Sequence, residues 1–294
     1  PDLVEPVQEI RDESRSYSYA DHVRHLPGLR AAVADATPLK VALLSSYTAD
    51  PLLPIVEFHA LLDRIRIESH VGDFNQYAQE ILDPTSALHG FGPHVIILLV
   101  RLDEMAPEFF DQFESRAPDE WRDALAEHAR LLTSLAGRAI DAFGCQVIVQ
   151  NTATPSHLTL GINDAQRADG QIAMLAYFNA QLVEGMAAMV GGYVWDFASL
   201  AGRLGLDNML DNKMWFLSRN PFKLGAYVDI GRDLHRYVRA MRGVVKKCVV
   251  LDLDNTLWGG VVGEDGVDKI GLGSAYPGNC YREFQQQLLQ QYLK

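Results

Sequence analysis

Two aspartates, Asp252 and Asp254, follow the aliphatic run Val249-Val250-Leu251 and precede Asn255-Thr256-Leu257. Such a run reads as a strand, and ligand sites in open α/β sheets lie at the carboxyl ends of strands. The i, i+2 spacing puts both carboxylates on one strand face, and the loop where the strand ends can aim both at one pocket. There one carboxylate can attack phosphorus, forming an aspartyl-phosphate and splitting one hard step into two. The second can protonate the leaving oxygen and later deprotonate water. Crowded acids need a cation between them, and hard oxygen donors beside phosphate select Mg²⁺. Asp252 is therefore the candidate nucleophile and Asp254 the candidate acid/base, and both are candidate metal ligands. Asn255 and Thr256 are candidate substrate contacts, with Thr256 able to hold the loop through its hydroxyl. An acidic pair alone is more often a turn; the aliphatics before it and Asn-Thr-Leu after it favour the catalytic reading.

The elements that would carry these residues form two groups. Lys40–Ser45, Arg66–Gly72, His94–Val100 and Cys145–Gln150 read as short apolar strands, with Tyr193–Phe197 as a fifth. Between them, Pro54–Arg64, Asp119–Phe143 and Gln171–Val190 have helical apolar spacing. Strands alternating with helices imply a doubly wound α/β domain with a parallel sheet, spanning roughly residues 38–215. Residues 1–37 read as an N-terminal arm. Residues 216–245 read as a connecting basic helical segment, with its helical stretch at Asp233–Arg242, and a new strand, Lys247–Leu253, opens a second domain over 246–294.

The motif Asp252-Leu253-Asp254-Asn255-Thr256 resembles the first motif of the haloacid dehalogenase superfamily. The extension Trp258-Gly259-Gly260-Val261-Val262-Gly263-Glu264-Asp265-Gly266, with Tyr276-Pro277-Gly278-Asn279, is similar to the FkbH-like proteins of polyketide biosynthesis. Those proteins also carry an α/β domain before the phosphatase-like one. The resemblance implies loading of a glyceryl unit from 1,3-bisphosphoglycerate onto the phosphopantetheine arm of an acyl carrier protein, with loss of phosphate and with Mg²⁺ as cofactor. The alternative is an ordinary Mg²⁺-dependent small-molecule phosphatase with a fused carrier- or substrate-binding domain. Forty residues follow Asp254 in this chain of 294, whereas the superfamily's Ser/Thr, Lys and second acidic motifs lie further on. The expectation is part of a longer protein, holding the start of a Rossmannoid domain of haloacid dehalogenase type and turning over little phosphate as it stands.

Acyl transfer to a carrier thiol could run through an enzyme cysteine. Cys280 follows Pro-Gly-Asn at the start of a helical stretch, Asn279–Leu293, with Asn279 able to act as N-cap. A helix N-terminus favours thiolate. Cys280 is a candidate acyl acceptor, and the reading as a small half-buried filler stands beside it. Cys248 inside the expected strand reads as buried, and Cys145 as structural.

The first domain resembles the SGNH hydrolase fold. Ser45-Ser46-Tyr47-Thr48 follows the first strand, which puts Ser46 at that family's nucleophile position. Gly72 after the second strand falls at its oxyanion-hole glycine. The third block fails, because Val100-Arg101-Leu102-Asp103 offers no asparagine donor. The fourth fails too: in Asp211-Asn212-Lys213-Met214, Met214 cannot act as the base. With two of four groups missing, the expectation is a domain that binds a partner or substrate, with Ser46 and Gly72 as contacts, rather than an active esterase.

Bulk properties bound the rest. A net charge of −12 argues against broad nucleic-acid affinity. No apolar run approaches membrane-spanning length. Three cysteines without short spacing argue against a disulfide framework and for a reducing, cytoplasmic setting. From Arg219 to Lys247, eight bases face two acids. Such a patch suits an acidic carrier protein or a phosphorylated three-carbon substrate, although a solvated helix face has the same composition.

Overall fold

The structure is a computed structural model and describes residues 10–292. The chain divides into two compact units, with the boundary between Val244 and Val245. In the first unit five parallel strands form one sheet: β1 (Leu39–Ser45), β2 (Ile67–Val71), β3 (Val95–Leu99), β4 (Gln146–Gln150) and β5 (Gly192–Trp195), in the order β2-β1-β3-β4-β5. Each lies within two residues of its expected position. The longer helices are α1 (Tyr19–Ala32), α2 (Leu52–Leu62), α3 (Pro118–Phe143), α4 (Gln171–Ala187), α5 (Phe197–Leu204), α6 (Asn212–Ser218) and α7 (Leu224–Met241) in the first unit, and α8 (Gly278–Tyr292) in the second.

Alternation along the strands builds two cores. Ala42, Leu44, Ile96, Leu98, Val147 and Val149 face one side, where α3 and α4 cover them. Val41, Leu43, Val95, Ile97, Leu99 and Ile148 face the other and pack with α2 and α7. Because both faces are covered, the central strands read as unbroken apolar runs. Helix α3 shows the matching helical period: Trp121, Leu125, Ala129, Leu132, Ala136 and Ala139 are buried, and Gly144 ends the helix in the left-handed region at φ 60°.

Two parts of the expected organisation change. Residues 216–245 are not simply a connector, since α7 buries Tyr227, Ile230, Leu234 and Val238 in the second core. Gly231 permits this approach, because a Cβ there would meet Ile55 Cβ and Cγ2 at 2.7 Å. Of the expected arm, residues 1–9 lie outside the described residues. The remainder includes α1, capped by a Ser18–Asp21 capping box and packed through Leu26 and Leu29 onto Phe58 and Leu61 of α2. The periodicity of α1 is faint, which hid its role in the sequence.

In the second unit, the expected strand Lys247–Leu253 is not formed. Val249 is 68% exposed and Val250 is 91% exposed. A strand needs ladder partners, and among the described residues this unit provides only isolated bridges, Asp254 with Trp258 and Gly259 with Gly271. Cys248 is accordingly exposed rather than buried. The Gly-rich segment is held by reciprocal backbone hydrogen bonds between Gly259 and Gly271, at 3.0 and 2.6 Å. Helix α8 is tied to it by Gln285 Nε2, which donates to Leu257 O at 2.7 Å. Tyr281 also lies close against Gly259, where a Cβ would meet its ring at 2.9 Å.

Candidate functional site

The Asp252–Thr256 segment folds as a tight loop. The Leu257 N–H donates to Leu253 O at 2.8 Å, and the Thr256 N–H to the same oxygen at 3.3 Å. Asn255 adopts φ 53°, a left-handed conformation that asparagine tolerates. Its Oδ1 accepts from Gly260 N–H at 2.8 Å. Asn255 therefore shapes the loop, while the Thr256 hydroxyl makes no side-chain hydrogen bond among the described residues; the backbone amide takes the holding role expected of it.

The two carboxylates have different surroundings. Asp252 is exposed, and among the described residues its Oδ1 accepts only from Leu253 N–H, at 2.8 Å. Asp254 is half-buried, and its Oδ1 accepts from Trp258 Nε1–H at 2.9 Å and from Val262 N–H at 3.2 Å. One carboxylate is thus free to meet a ligand and the other is oriented, a division that suits a nucleophile beside a positioned proton carrier. Both offer hard oxygens. Mg²⁺ commonly binds through one or two carboxylates, with phosphate and water completing its shell. No group of three metal-competent His, Cys, Asp or Glu side chains exists among the described residues. Asp252 and Asp254 are the side chains that could hold Mg²⁺, a donor set of the right kind for that ion.

Cys280 is exposed, lies inside α8 rather than after an N-cap, and has Sγ 3.6 Å from Asn279 Oδ1. The helix starts at Gly278, so Asn279 is within its first turn and does not cap it. Exposure removes the filler reading, because the thiol fills no core. Cys145 is buried in the first unit, where burial pushes its thiol up to about 11, as a structural residue requires.

The esterase-like positions of the first unit do not form an active site. Ser46 has no exposed surface, and its Oγ accepts from Arg101 N–H at 3.0 Å. It braces the β1 and β3 ends and cannot contact a substrate. The Gly72 N–H donates to Leu43 O at 3.0 Å, so it cannot serve an oxyanion. A Cβ at Gly72 would meet Leu44 Cδ2 at 2.6 Å; the glycine is there for packing. Both expected contacts are corrected on these grounds.

What the sequence reading missed is a cleft of about 270 Å³ over the carboxyl ends of β3, β4 and β5. Arg101 and Gln150 contribute polar groups, and Phe110, Phe197, Leu206 and Phe222 contribute apolar surface. Arg101 pairs with Asp103 and stacks on Trp215, 4.5 Å from the ring centroid. The signal for this site was the paired amides Gln150-Asn151 at the end of an otherwise aliphatic strand. The basic segment is compensated in part: Arg232 pairs with Asp229, Arg236 with Asp233 and Arg239 with Asp63, at 3.5, 3.1 and 3.3 Å.

The strand order, the covered faces and the cleft at the strand ends define a flavodoxin-like doubly wound α/β protein. The chain belongs to the FkbH family: the model of the FkbH N-terminal domain matches residues 40–230. Among solved structures, it is similar to the N-terminal part of protein BF1531 from Bacteroides fragilis, which contains a phosphatase domain and was crystallised with Mg. The TM-score is 0.79 at 24% identity, over 93% of this chain and 70% of that one. At that identity the likeness shows the fold. The lipase Lip_vut3 from a goat rumen metagenome reaches TM-score 0.48 at 11% identity, over 68% of this chain and 97% of its own, a level from which nothing is drawn. No curated protein matches. Among the described residues no helix is long and apolar enough to cross a membrane.

Proposed function

We propose that this chain is part of a phosphotransferase of haloacid dehalogenase type that loads a glyceryl unit from 1,3-bisphosphoglycerate onto an acyl carrier protein, with dephosphorylation, for polyketide extender-unit synthesis. The observation that carries the reading is the contrast at the Asp252-x-Asp254 loop, one carboxylate open and the other held by Trp258 and Val262. Family membership supports it. In this reading Asp252 takes the phosphoryl group of the phosphate ester, and Asp254 protonates the leaving oxygen and then activates water. The acyl-phosphate end is already activated: a thiol attacks its carbonyl, a thioester forms and phosphate leaves. Cys280, exposed in the first turn of α8, is the proposed first acceptor before the carrier's thiol. Mg²⁺, held by Asp252 and Asp254, would offset charge between the carboxylates and the phosphate.

The test is intact-protein mass spectrometry of the carrier after incubation of the full-length protein with 1,3-bisphosphoglycerate, Mg²⁺ and phosphopantetheinylated carrier. A glyceryl-sized gain on the carrier, absent with Cys280→Ala, supports the transferase. Phosphate release without any gain supports a small-molecule phosphatase with a fused binding domain.

A further inference from the structure

The cleft over β3, β4 and β5 has hydrogen-bond donors that the protein itself does not use. Gln150 is 3% exposed and ends β4. Its Oε1 accepts from the Tyr47 hydroxyl at 3.0 Å. Burial holds the Tyr47 phenol well above its usual range, so it stays a neutral donor and fixes the amide's orientation. Gln150 lines the cleft, and its Nε2 has no acceptor among the described residues, so it is open to a ligand's acceptor. Arg101 engages Nε and Nη2 with Asp103, and its plane is fixed by Trp215, leaving Nη1 uncommitted. The neighbouring Asn151 is saturated by contrast: Nδ2 donates to Asp196 Oδ1 at 2.9 Å, and Oδ1 accepts from Ala198 N–H at 2.8 Å.

The charges narrow the ligand. Asp103 neutralises Arg101, and Asp207, which accepts from the Ser156 hydroxyl, adds negative charge to the lining. An anion gains little in such a place, and a cation meets the two donors. An uncharged acceptor with an apolar stem satisfies both the donors and the Phe110, Phe197 and Phe222 surfaces.

We infer that this cleft binds an uncharged carbonyl-bearing acyl chain, an amide, ester or thioester, whose oxygen accepts from Gln150 and Arg101, and that it does so without cleaving it. Cleavage lacks an activated nucleophile: Ser46 is sealed beneath Arg101, and the Ser156 hydroxyl is turned to Asp207, while His157, which also lines the cleft, hydrogen-bonds to neither. The inference stands on the first unit alone and is independent of the phosphotransfer reading.

The test uses the full-length protein and a six-carbon series: hexanamide, methyl hexanoate, hexanoate and hexylammonium. Binding is read by calorimetry and by the Gln150 side-chain amide resonance. Hexanamide and methyl hexanoate should bind and shift that resonance, with the ester recovered intact. Hexanoate and hexylammonium should bind about tenfold more weakly or not at all. Gln150→Glu keeps an acceptor for Tyr47 and removes the donor; it should weaken hexanamide by about tenfold or more. Gln150→Met removes the donor without adding charge and serves if the glutamate variant does not fold. Absence of hexanamide binding, a preference for hexanoate, an unmoved Gln150 resonance, or hydrolysis of the ester would each overturn the inference.

Discussion

The indole Nε1–H of Trp258 donates to Asp254 Oδ1 at 2.9 Å, and four residues further on the Val262 N–H donates to the same oxygen at 3.2 Å. The tryptophan of the Trp-Gly-Gly segment is thus joined to the acid/base candidate, while Asp252 is left open. Trp258→Phe keeps a ring and removes the donor. In the full-length enzyme it should lower kcat for hydrolysis of the phosphate ester by about ten- to a hundredfold, the cost of a misplaced catalytic group. Substrate KM should change little. Equal kcat in the two proteins would show that the indole does not position Asp254.

Ser46→Ala tests whether the buried serine is structural. The substitution leaves Arg101 N–H without its acceptor, which should cost about 1–3 kcal/mol of stability, read as a lower urea midpoint. Hydrolysis of p-nitrophenyl acetate should be indistinguishable from background in both proteins. A serine-dependent esterase rate would show that Ser46 is reachable after all.

Gly231→Ala should separate α2 from α7. Its Cβ would fall 2.7 Å from Ile55 Cβ and 3.4 Å from Val56 N, atoms close to backbone that cannot swing away. The expected loss is about 1–3 kcal/mol, as for other overpacked sites. Gly225→Ala on the same helix has nothing within 4 Å of its Cβ and should be neutral or slightly stabilising. Equal effects would contradict the packing described between α2 and α7.

Stability should fall in acid from a cluster shared by α1, α2 and α7. His22 and His59 are buried, with Nε2 atoms lacking hydrogen-bond partners, and His235 lies beside Asp63 at 3.3 Å. Burial, then the neighbouring His235, depress His59 from 6.5 to about 3. Burial alone would raise Asp63, but His235, Arg11 and Arg239 outweigh it and hold it at about 2. A depressed histidine is neutral when folded, while the unfolded chain takes up a proton below pH 6.5. Its stabilising contribution is therefore complete above pH 6.5 and is lost as pH falls toward about 3. Asp63 adds a further loss between pH 3.8 and about 2. Urea midpoints measured downward from neutrality should decline, and His59→Phe should flatten the upper part of that decline. An unchanged slope in the variant would remove His59 from this account.

The sheet was legible because Val95–Leu99 and Gln146–Gln150 are aliphatic runs bounded by Gly, Pro or polar residues, and burial on both faces demands that composition. The packing of α7 is hidden in the sequence because its bases dominate the composition, while Tyr227, Ile230, Leu234 and Val238 carry the contacts. Ser46 and Gly72 occupy positions that sequence order assigns to chemistry, yet their hydrogen bonds are taken by Arg101 and Leu43. Order along the chain does not show which amide a neighbouring strand has already engaged. The cleft escaped notice because its walls come from distant segments, Phe110, Phe197 and Phe222 among them. The Asp252-x-Asp254 pair was plain from local sequence, whereas the strand expected to deliver it depends on ladder partners that a local reading cannot supply.

The central claim is that Asp252 carries the phosphoryl group. The direct measurement is peptide-mapping mass spectrometry of the full-length protein, quenched in acid during turnover of 1,3-bisphosphoglycerate with Mg²⁺. The account predicts one phosphoryl group on the peptide containing Asp252, labile to hydroxylamine and absent in Asp252→Asn. Loss of the ester phosphate at wild-type rate by Asp252→Asn, or a phosphoryl group on another residue, would contradict it.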